Sequence, residues 1–262
     1  MLLEVKNLSV DFILGTQAIH AVQGVDLHVK PRETVVIAGE SGSGKTVTAL
    51  AITKILPPNA RMRAGAVLFA GADLARMDEQ QLSLIRGSKI AYCFQEPASY
   101  LNPVYTIAEQ ISEAIIRHQR LSRPRALKFA ERLLADVRIP DPARVLASYP
   151  HQLSGGMNQR VFIAMGLACK PQLLIADEPT TALDVTIEAR ILKLLVELKA
   201  EYGFALLFIT HNLSIARKIA ERVYVMYQGK VVEEGPTQRI FTDPVHAHTR
   251  ELINAYQKIG TI

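Results

Sequence analysis

A chain of 262 residues with 49% hydrophobic and 21% charged side chains has the mix of an ordered globular protein, which excludes disorder as its main theme. At roughly 150 residues per domain, this length makes one large domain or two small ones. The 30 Lys and Arg exceed the 25 Asp and Glu by a net +5, which suits phosphate-bearing ligands, nucleic acid or an anionic membrane face, and is scattered enough to be a solvated surface. Runs without strongly polar residues, such as VFIAMGLAC at 161–169, fall well short of the roughly 18 residues of a spanning helix. The start, MLLEVKNLSVDF, lacks the pattern of a secretory signal, so a cytoplasmic location is expected. Cys93 and Cys169 have no CxxC spacing and are expected to be reduced and buried.

LEVKNLSVDF and AVQGVDLHV alternate apolar and polar residues, which predicts antiparallel strands with a loop near Leu14-Gly15. TVVIAG (34–39) reads as a strand entering a glycine-rich segment, and VTALAITKIL as a helix ended by Pro57-Pro58. AVLFAG and KIAYCFQ are two further short strands separated by a polar helical stretch. From about 105 to 170 the pattern becomes that of an all-helical insertion: TIAEQISEAII, RALKFAERLLADV and a long helix from near Ser154 to Pro171. QLLIADEP, the helix TIEARILKLLVELKAEYG and the strand FALLFIT then alternate in βαβ fashion. A helix through LSIARKIAE leads to VYVMYQGKVVEEG, a hairpin around Gln228-Gly229, and a short helical tail.

Gly39-Glu40-Ser41-Gly42-Ser43-Gly44-Lys45-Thr46 fits GxxxxGK[ST] between a predicted strand and helix, the context of a phosphate site. Glycines let the backbone wrap phosphate oxygens, the following helix offers its positive end, Lys45 adds a charge at the β and γ phosphates, and Thr46 adds a hydroxyl for Mg²⁺. Asp177 and Glu178 close the run LLIA at a strand's carboxyl end, where open α/β sheets bind ligands. There an Asp can hold Mg²⁺ and the next carboxylate can activate water, although adjacent acids at a strand end also serve as solvated turn chemistry. His211 ends FALLFIT, where it either reaches the same phosphate or caps the next helix. Gln95 ends KIAYCF, where it either touches Mg²⁺ and the attacking water or lies on the surface. Leu153-Ser154-Gly155-Gly156-Met157 opens a helix with a serine and bare glycine N–H groups, either a plain N-cap or a second phosphate nest that closes on a partner's nucleotide.

In this order, GESGSGKT, Gln95, LSGGM, LLIADE, Ala182-Leu183-Asp184 and His211 resemble the nucleotide-binding subunit of an ATP-binding cassette (ABC) transporter over nearly the whole chain. The resemblance implies a P-loop NTPase α/β fold with a mixed β core, an antiparallel β subdomain and an inserted helical subdomain. It implies one nucleotide-binding domain: core at 1–95 and 171–235, helical subdomain at about 96–170, tail at 236–262. By the same likeness, Gly39, Ser41, Gly42, Ser43, Gly44, Lys45 and Thr46 are the Walker A loop, Asp177 is the Walker B magnesium residue and Glu178 the catalytic base. Gln95 is the Q-loop residue that senses the membrane partner, Ser154, Gly155 and Gly156 are the signature on the opposite subunit's ATP, His211 is the switch histidine and Asp184 lies at the dimer seam. Phe12 stands where the family keeps an aromatic on adenine, though a Phe in a β pattern is as often core.

QEPASYLNPVYTIAEQI, YPHQLSGGMNQR, DEPTTALDVT and DPVHAHTREL are similar to the dipeptide, oligopeptide and nickel importer branch, in which Met157 commonly replaces the signature glutamine. Asn158 is a further departure with no reading in sequence. The resemblance implies an ATPase on the cytoplasmic face of the cell membrane, using ATP with Mg²⁺. Its partners are a second identical or related ATPase subunit, a membrane permease and, indirectly, a solute-binding protein, with no nucleic acid. Some branch members bind an iron–sulfur cluster in a cysteine-rich extension, and no cluster is expected in this chain. A soluble accessory ATPase such as that of carbon–phosphorus lyase is the alternative of another class. DNA-repair and ribosome-associated ATPases fit less well, lacking here a long coiled-coil or zinc insertion and a second cassette.

Overall fold

The period-two start of the chain becomes a hairpin, with β1 (Leu3–Leu14) and β2 (Gln17–Val29) paired antiparallel about Gly15. The computed structural model describes residues 1–181 and 183–259, and the chain divides into two compact units, Met1–Leu82 with Ala205–Ile262 and Ser83–Phe204. Ala182 and residues 260–262 of the tail lie outside the described residues. In the first unit, β3 (Thr34–Ala38) is buried at every residue and runs into α1 (Lys45–Ile52). α1 stops short of Pro57: Lys54 turns left-handed at φ 51, its N–H bonding to the carbonyl of Ala51 while that of Ile55 bonds to Leu50. This C-terminal turn, rather than the proline, ends the helix. AVLFAG is the end of a longer strand, β4 (Ala60–Phe69), which lies on the other side of β1 and carries β5 (Ala72–Asp73); α2 (Glu79–Ile85) follows.

The second unit begins with β6 (Ile90–Cys93), the short α3 (Pro97–Tyr100) and α4 (Ile107–Gln119). Ile107, Ile111 and Ile115 line the buried stripe of α4, and Thr106 and Glu109 form a capping box at its start. Hydrogen bonds from the Thr106 backbone and hydroxyl hold the Glu109 carboxyl below its ordinary pKa. α5 (Arg123–Asp136) buries Ala126, Ala130, Leu133 and Leu134, and the Arg160 guanidinium closes its end by donating to the Val137 carbonyl at 2.8 Å. α6 (Pro142–Leu146) leads to α7 (Gly155–Leu167), which ends before Pro171 with Lys170 again left-handed at φ 51. β7 (Leu173–Asp177), wholly buried, runs parallel to β6, and α8 (Val185–Tyr202) buries Ile191, Leu194, Leu195 and Leu198 before a left-handed Gly203. The Cys93 thiol is buried and its pKa is pushed up to about 12 by burial, whereas Cys169 is only half-buried.

The chain then completes the first unit with β8 (Ala205–Thr210), α9 (Leu213–Ile219), β9 (Arg222–Tyr227), β10 (Lys230–Pro236), α10 (Thr237–Thr242) and α11 (Ala247–Ile259). β3 lies between β8 and β9, parallel to both, and β10 returns antiparallel on β9. Strands buried on both faces read as continuous apolar runs, which is why TVVIA and ALLFIT show no alternation. No helix of the described residues is long and apolar enough to cross a membrane.

The β9–β10 turn has positive φ at Gln228 (47) and Gly229 (79), the primed geometry that suits a two-residue hairpin. Its backbone joins two neighbours: the Gly229 N–H donates to the Ser43 carbonyl at 3.0 Å, and the Gln23 N–H donates to the Gly229 carbonyl at 2.8 Å. A Cβ at Gly229 would sit 2.8 Å from the Ala21 carbonyl oxygen. Gly229→Ala is therefore expected to cost about 1–3 kcal/mol through strained φ and backbone overlap. A lowered urea midpoint checks this, and an unchanged midpoint contradicts it.

Candidate functional site

In the first unit, Gly39 to Gly44 link β3 to α1, of which Lys45 and Thr46 are the first two residues. Lys45 is 4% exposed, and its Nζ donates to the carbonyls of Gly39 at 2.9 Å and Glu40 at 2.8 Å, so the loop curls around a buried ammonium. Gly44 is the N-cap of α1 at φ 99, and a Cβ there would lie 2.6 Å from the Ala21 carbonyl oxygen, so the position admits only glycine without a backbone shift. No side chain caps α1 and its first turn has no acidic residue, which leaves the positive helix end without a protein anion of its own in that turn. The Ser43 hydroxyl is buried without a hydrogen-bond partner. Ser41, Gly42 and Thr46 are exposed. A buried charge, an orphaned hydroxyl and an uncapped helix end make this loop chemically an anion receptor.

Phe12 is half-buried near the β1–β2 tip, opposite Ile19 and Ala60, a placement that leaves both of its sequence readings open. His211 follows β8 and is exposed. It is not the cap of α9. Asn212 fills that role, its Oδ1 accepting from the Ser214 N–H at 2.9 Å, while the Asn212 N–H donates to the Thr210 hydroxyl at 2.9 Å.

The second unit carries the other candidates. Asp177 is the last residue of β7 and is 4% exposed. Its Oδ2 accepts from the Tyr92 hydroxyl at 2.8 Å, a contact no sequence motif announces. Burial, then the Asp177 charge, raise the pKa of that phenol, so it stays protonated. Glu178 has φ 44, a conformation uncommon for a residue with a side chain, and its Oε2 accepts from the Thr181 hydroxyl at 2.9 Å. Asp184 is the N-cap of α8, its Oδ1 accepting from the N–H groups of Thr186 at 3.1 Å and Ile187 at 3.0 Å.

Ser154 is the N-cap of α7, its Oγ accepting from the Met157 N–H at a long 3.4 Å. Ser154 and Gly155 are exposed, so the cap also offers its N–H groups outward. Asn158 is buried, its Nδ2 donating to the Pro150 carbonyl at 3.0 Å in the turn before Ser154, while its Oδ1 has no hydrogen-bond partner. Gln95 lies two residues beyond β6, exposed, and with Gly155 lines a cavity of about 260 Å³.

Among the described residues, no group of three or more His, Cys, Asp and Glu is gathered to hold a metal. The candidate donors, the Thr46 hydroxyl, the Asp177 carboxylate and the Gln95 amide oxygen, are all hard oxygens. That set fits Mg²⁺, which binds through one or two carboxylates together with phosphate oxygens and water rather than in a protein cage.

Residues 22–181 match the family model described as ABC transporter. The chain is 48% identical over 256 residues to a probable peptide ABC transporter ATP-binding protein of Sinorhizobium fredii, covering 97% of this chain and 76% of that one. It is 47% identical to a glutathione import ATP-binding protein of Salmonella choleraesuis over 99% of its own length and 43% of that protein's, so it spans less than half of that relative. Among solved structures, an ATP-binding cassette described as dimeric, in a post-hydrolysis state and bound to ADP and Pi superposes with a TM-score of 0.80 at 32% identity. That match covers 90% of this chain and 98% of the other, so the fold is the cassette fold, mixed α/β with an antiparallel β part and a helical part. With matched segment, near-full-length identity and superposed fold in agreement, the chain belongs to the ABC transporter family.

Proposed function

We propose that this chain is the ATP-hydrolysing subunit of an ABC importer for peptide-class solutes, a single nucleotide-binding domain with a helical insertion. The observation that carries the reading is the buried Lys45 ammonium, curled inside its own loop at a helix start that no side chain caps. The peptide and glutathione import names of the relatives support the solute class.

On this reading Lys45 and the N–H groups of residues 39–46 take the β and γ phosphates, exchanging the carbonyls of Gly39 and Glu40 for phosphate oxygens. Phe12 stacks on the adenine. Thr46, Asp177 and Gln95 hold Mg²⁺, which when bound neutralises charge on the phosphate oxygens. Glu178 accepts a proton from a water whose oxygen bonds to the γ phosphorus, while the bond from that phosphorus to the β–γ bridging oxygen breaks and ADP leaves. His211 hydrogen-bonds the transferring group. Ser154, Gly155 and Gly156 close on the ATP of a facing subunit, identical or related, with Asp184 at the seam. The dimeric form of the solved relative supports that pairing. A membrane permease then receives the closing motion at the cytoplasmic face. Shifting a closed state from 1:99 to 99:1 takes about 5.5 kcal/mol of differential binding. Several charge-assisted hydrogen bonds per nucleotide, each about 1.5–3 kcal/mol, are of that size.

Lys45→Ala should weaken ATP binding by roughly one to two orders of magnitude, as loss of one charge-assisted contact implies. Isothermal titration with Mg·ATP measures it, and parent-like affinity contradicts the phosphate-loop assignment. Glu178→Gln should leave ATP binding intact, slow hydrolysis by about 10²–10⁴-fold and let an ATP-bound dimer accumulate in gel filtration. Undiminished turnover removes Glu178 from the role of base.

A further inference from the structure

β6 and β7 run parallel with Tyr92 opposite Ile175. Side chains alternate faces along a strand, so Asp177, two residues past Ile175, shares its face with Tyr92. The phenol crosses that diagonal and donates to Asp177 Oδ2 at 2.8 Å. A carboxylate's terminal torsion is soft and broad, and an ionised carboxylate accepts through two equivalent oxygens. A fixed donor on one of them removes both the rotation and the equivalence.

The donor's ring is itself packed against an aromatic cluster, tilted 34° on its first neighbour. The Tyr92 ring lies 4.4 Å from Phe94, Phe94 stacks on Tyr100 at 4.0 Å with planes 10° apart, and Phe162 of α7 lies 6.4 Å from Phe94. The Tyr92 ring thus rests on Phe94, which Tyr100 and Phe162 back in turn, and this packing restricts where its hydroxyl points. We propose that Tyr92 is a positioning residue: its hydroxyl holds the Asp177 carboxylate in the orientation from which it serves the divalent cation bound with ATP. This rests on the proposed role of Asp177 as the cation's carboxylate.

The test is a binding measurement that needs no turnover. The affinity of the full chain for a non-hydrolysable ATP analogue is measured in EDTA and in excess Mg²⁺, and the ratio of the two is the gain due to the cation. Tyr92→Phe keeps the ring and its stacking and deletes only the hydroxyl. It should leave the affinity in EDTA at the parent value and reduce the Mg²⁺ gain by about tenfold or more, the usual cost of losing a partner behind a metal ligand. Phe94→Leu, which keeps the hydroxyl but loosens the stack, should lose part of the gain.

Asp177→Asn separates the two ways of failing. If it abolishes the gain while Tyr92→Phe does not change it, the positioning role is wrong and the role of Asp177 stands. If Asp177→Asn leaves the gain untouched, the cation reading of Asp177 falls and takes this proposal with it. A Tyr92→Phe chain that loses affinity equally in EDTA and in Mg²⁺ marks the tyrosine as structural and overturns the proposal. Adding Tyr92→Phe to Asp177→Asn should change nothing further, because the hydroxyl then has no charged oxygen to orient.

Discussion

A charged ammonium buried at the start of a helix is the constraint around which the first unit is arranged. Removing such a charge from water costs several kcal/mol unless polar groups replace the solvent. For Lys45 the replacements include the carbonyls of Gly39 and Glu40, so the charge draws the loop into its curl from the inside. The outer side of the curl is fixed by a hairpin far along the chain: Gly229 bonds Ser43, and the left-handed Gly44 fits beneath the Ala21 carbonyl. On the proposed reading, an incoming phosphate meets a loop already shaped, so little ordering remains to oppose binding.

The second unit solves a different problem, that of keeping two adjacent carboxylates distinct. Asp177 is buried and met by a phenol, whereas Glu178 turns away at φ 44 and bonds the Thr181 hydroxyl. A left-handed residue with a side chain stores on the order of 1 kcal/mol or more and persists only where its surroundings impose it. β7 ends at Asp177 and the chain turns at Glu178, so the two acids have different partners, a separation that suits the proposed division between holding a cation and activating water.

Local signals made much of this readable in one dimension. The strand–loop–helix at residues 34–52 follows from an apolar run, glycines and a lysine at fixed spacing, and the Gln228-Gly229 hairpin from two residues that tolerate positive φ. Helix ends were less legible. α1 and α7 stop before their prolines because Lys54 and Lys170 turn left-handed, and lysine gives no conformational warning of that. α3 and α6, at 4 and 5 residues, are too short for a period to register. At the site, Asn212 rather than His211 caps α9, a choice decided by backbone geometry one residue away. The Tyr92–Asp177 contact depends on the register of two strands separated by the whole helical insertion, which no window along the chain can contain.

The overall charge is a poor guide to what this protein recognises, and burial explains why. A surface charge in physiological salt is felt over about 8 Å, so a scattered +5 gives no address to any anion. Lys45 is the one buried Lys or Arg among the described residues. The buried acids of the first unit serve the frame: Asp11 is paired with His20 and Arg63, Glu33 with Arg222, and Glu233 with the N–H groups of Val245 and His246. Hydrogen bonds from those backbone groups, against the opposing effect of burial, leave Glu233 below its ordinary pKa, as befits a carboxylate that ties the start of α11 to β10. Lys45 is bonded to main-chain carbonyls of its own loop, those of Gly39 and Glu40, and such neutral dipoles stabilise a buried charge without cancelling it.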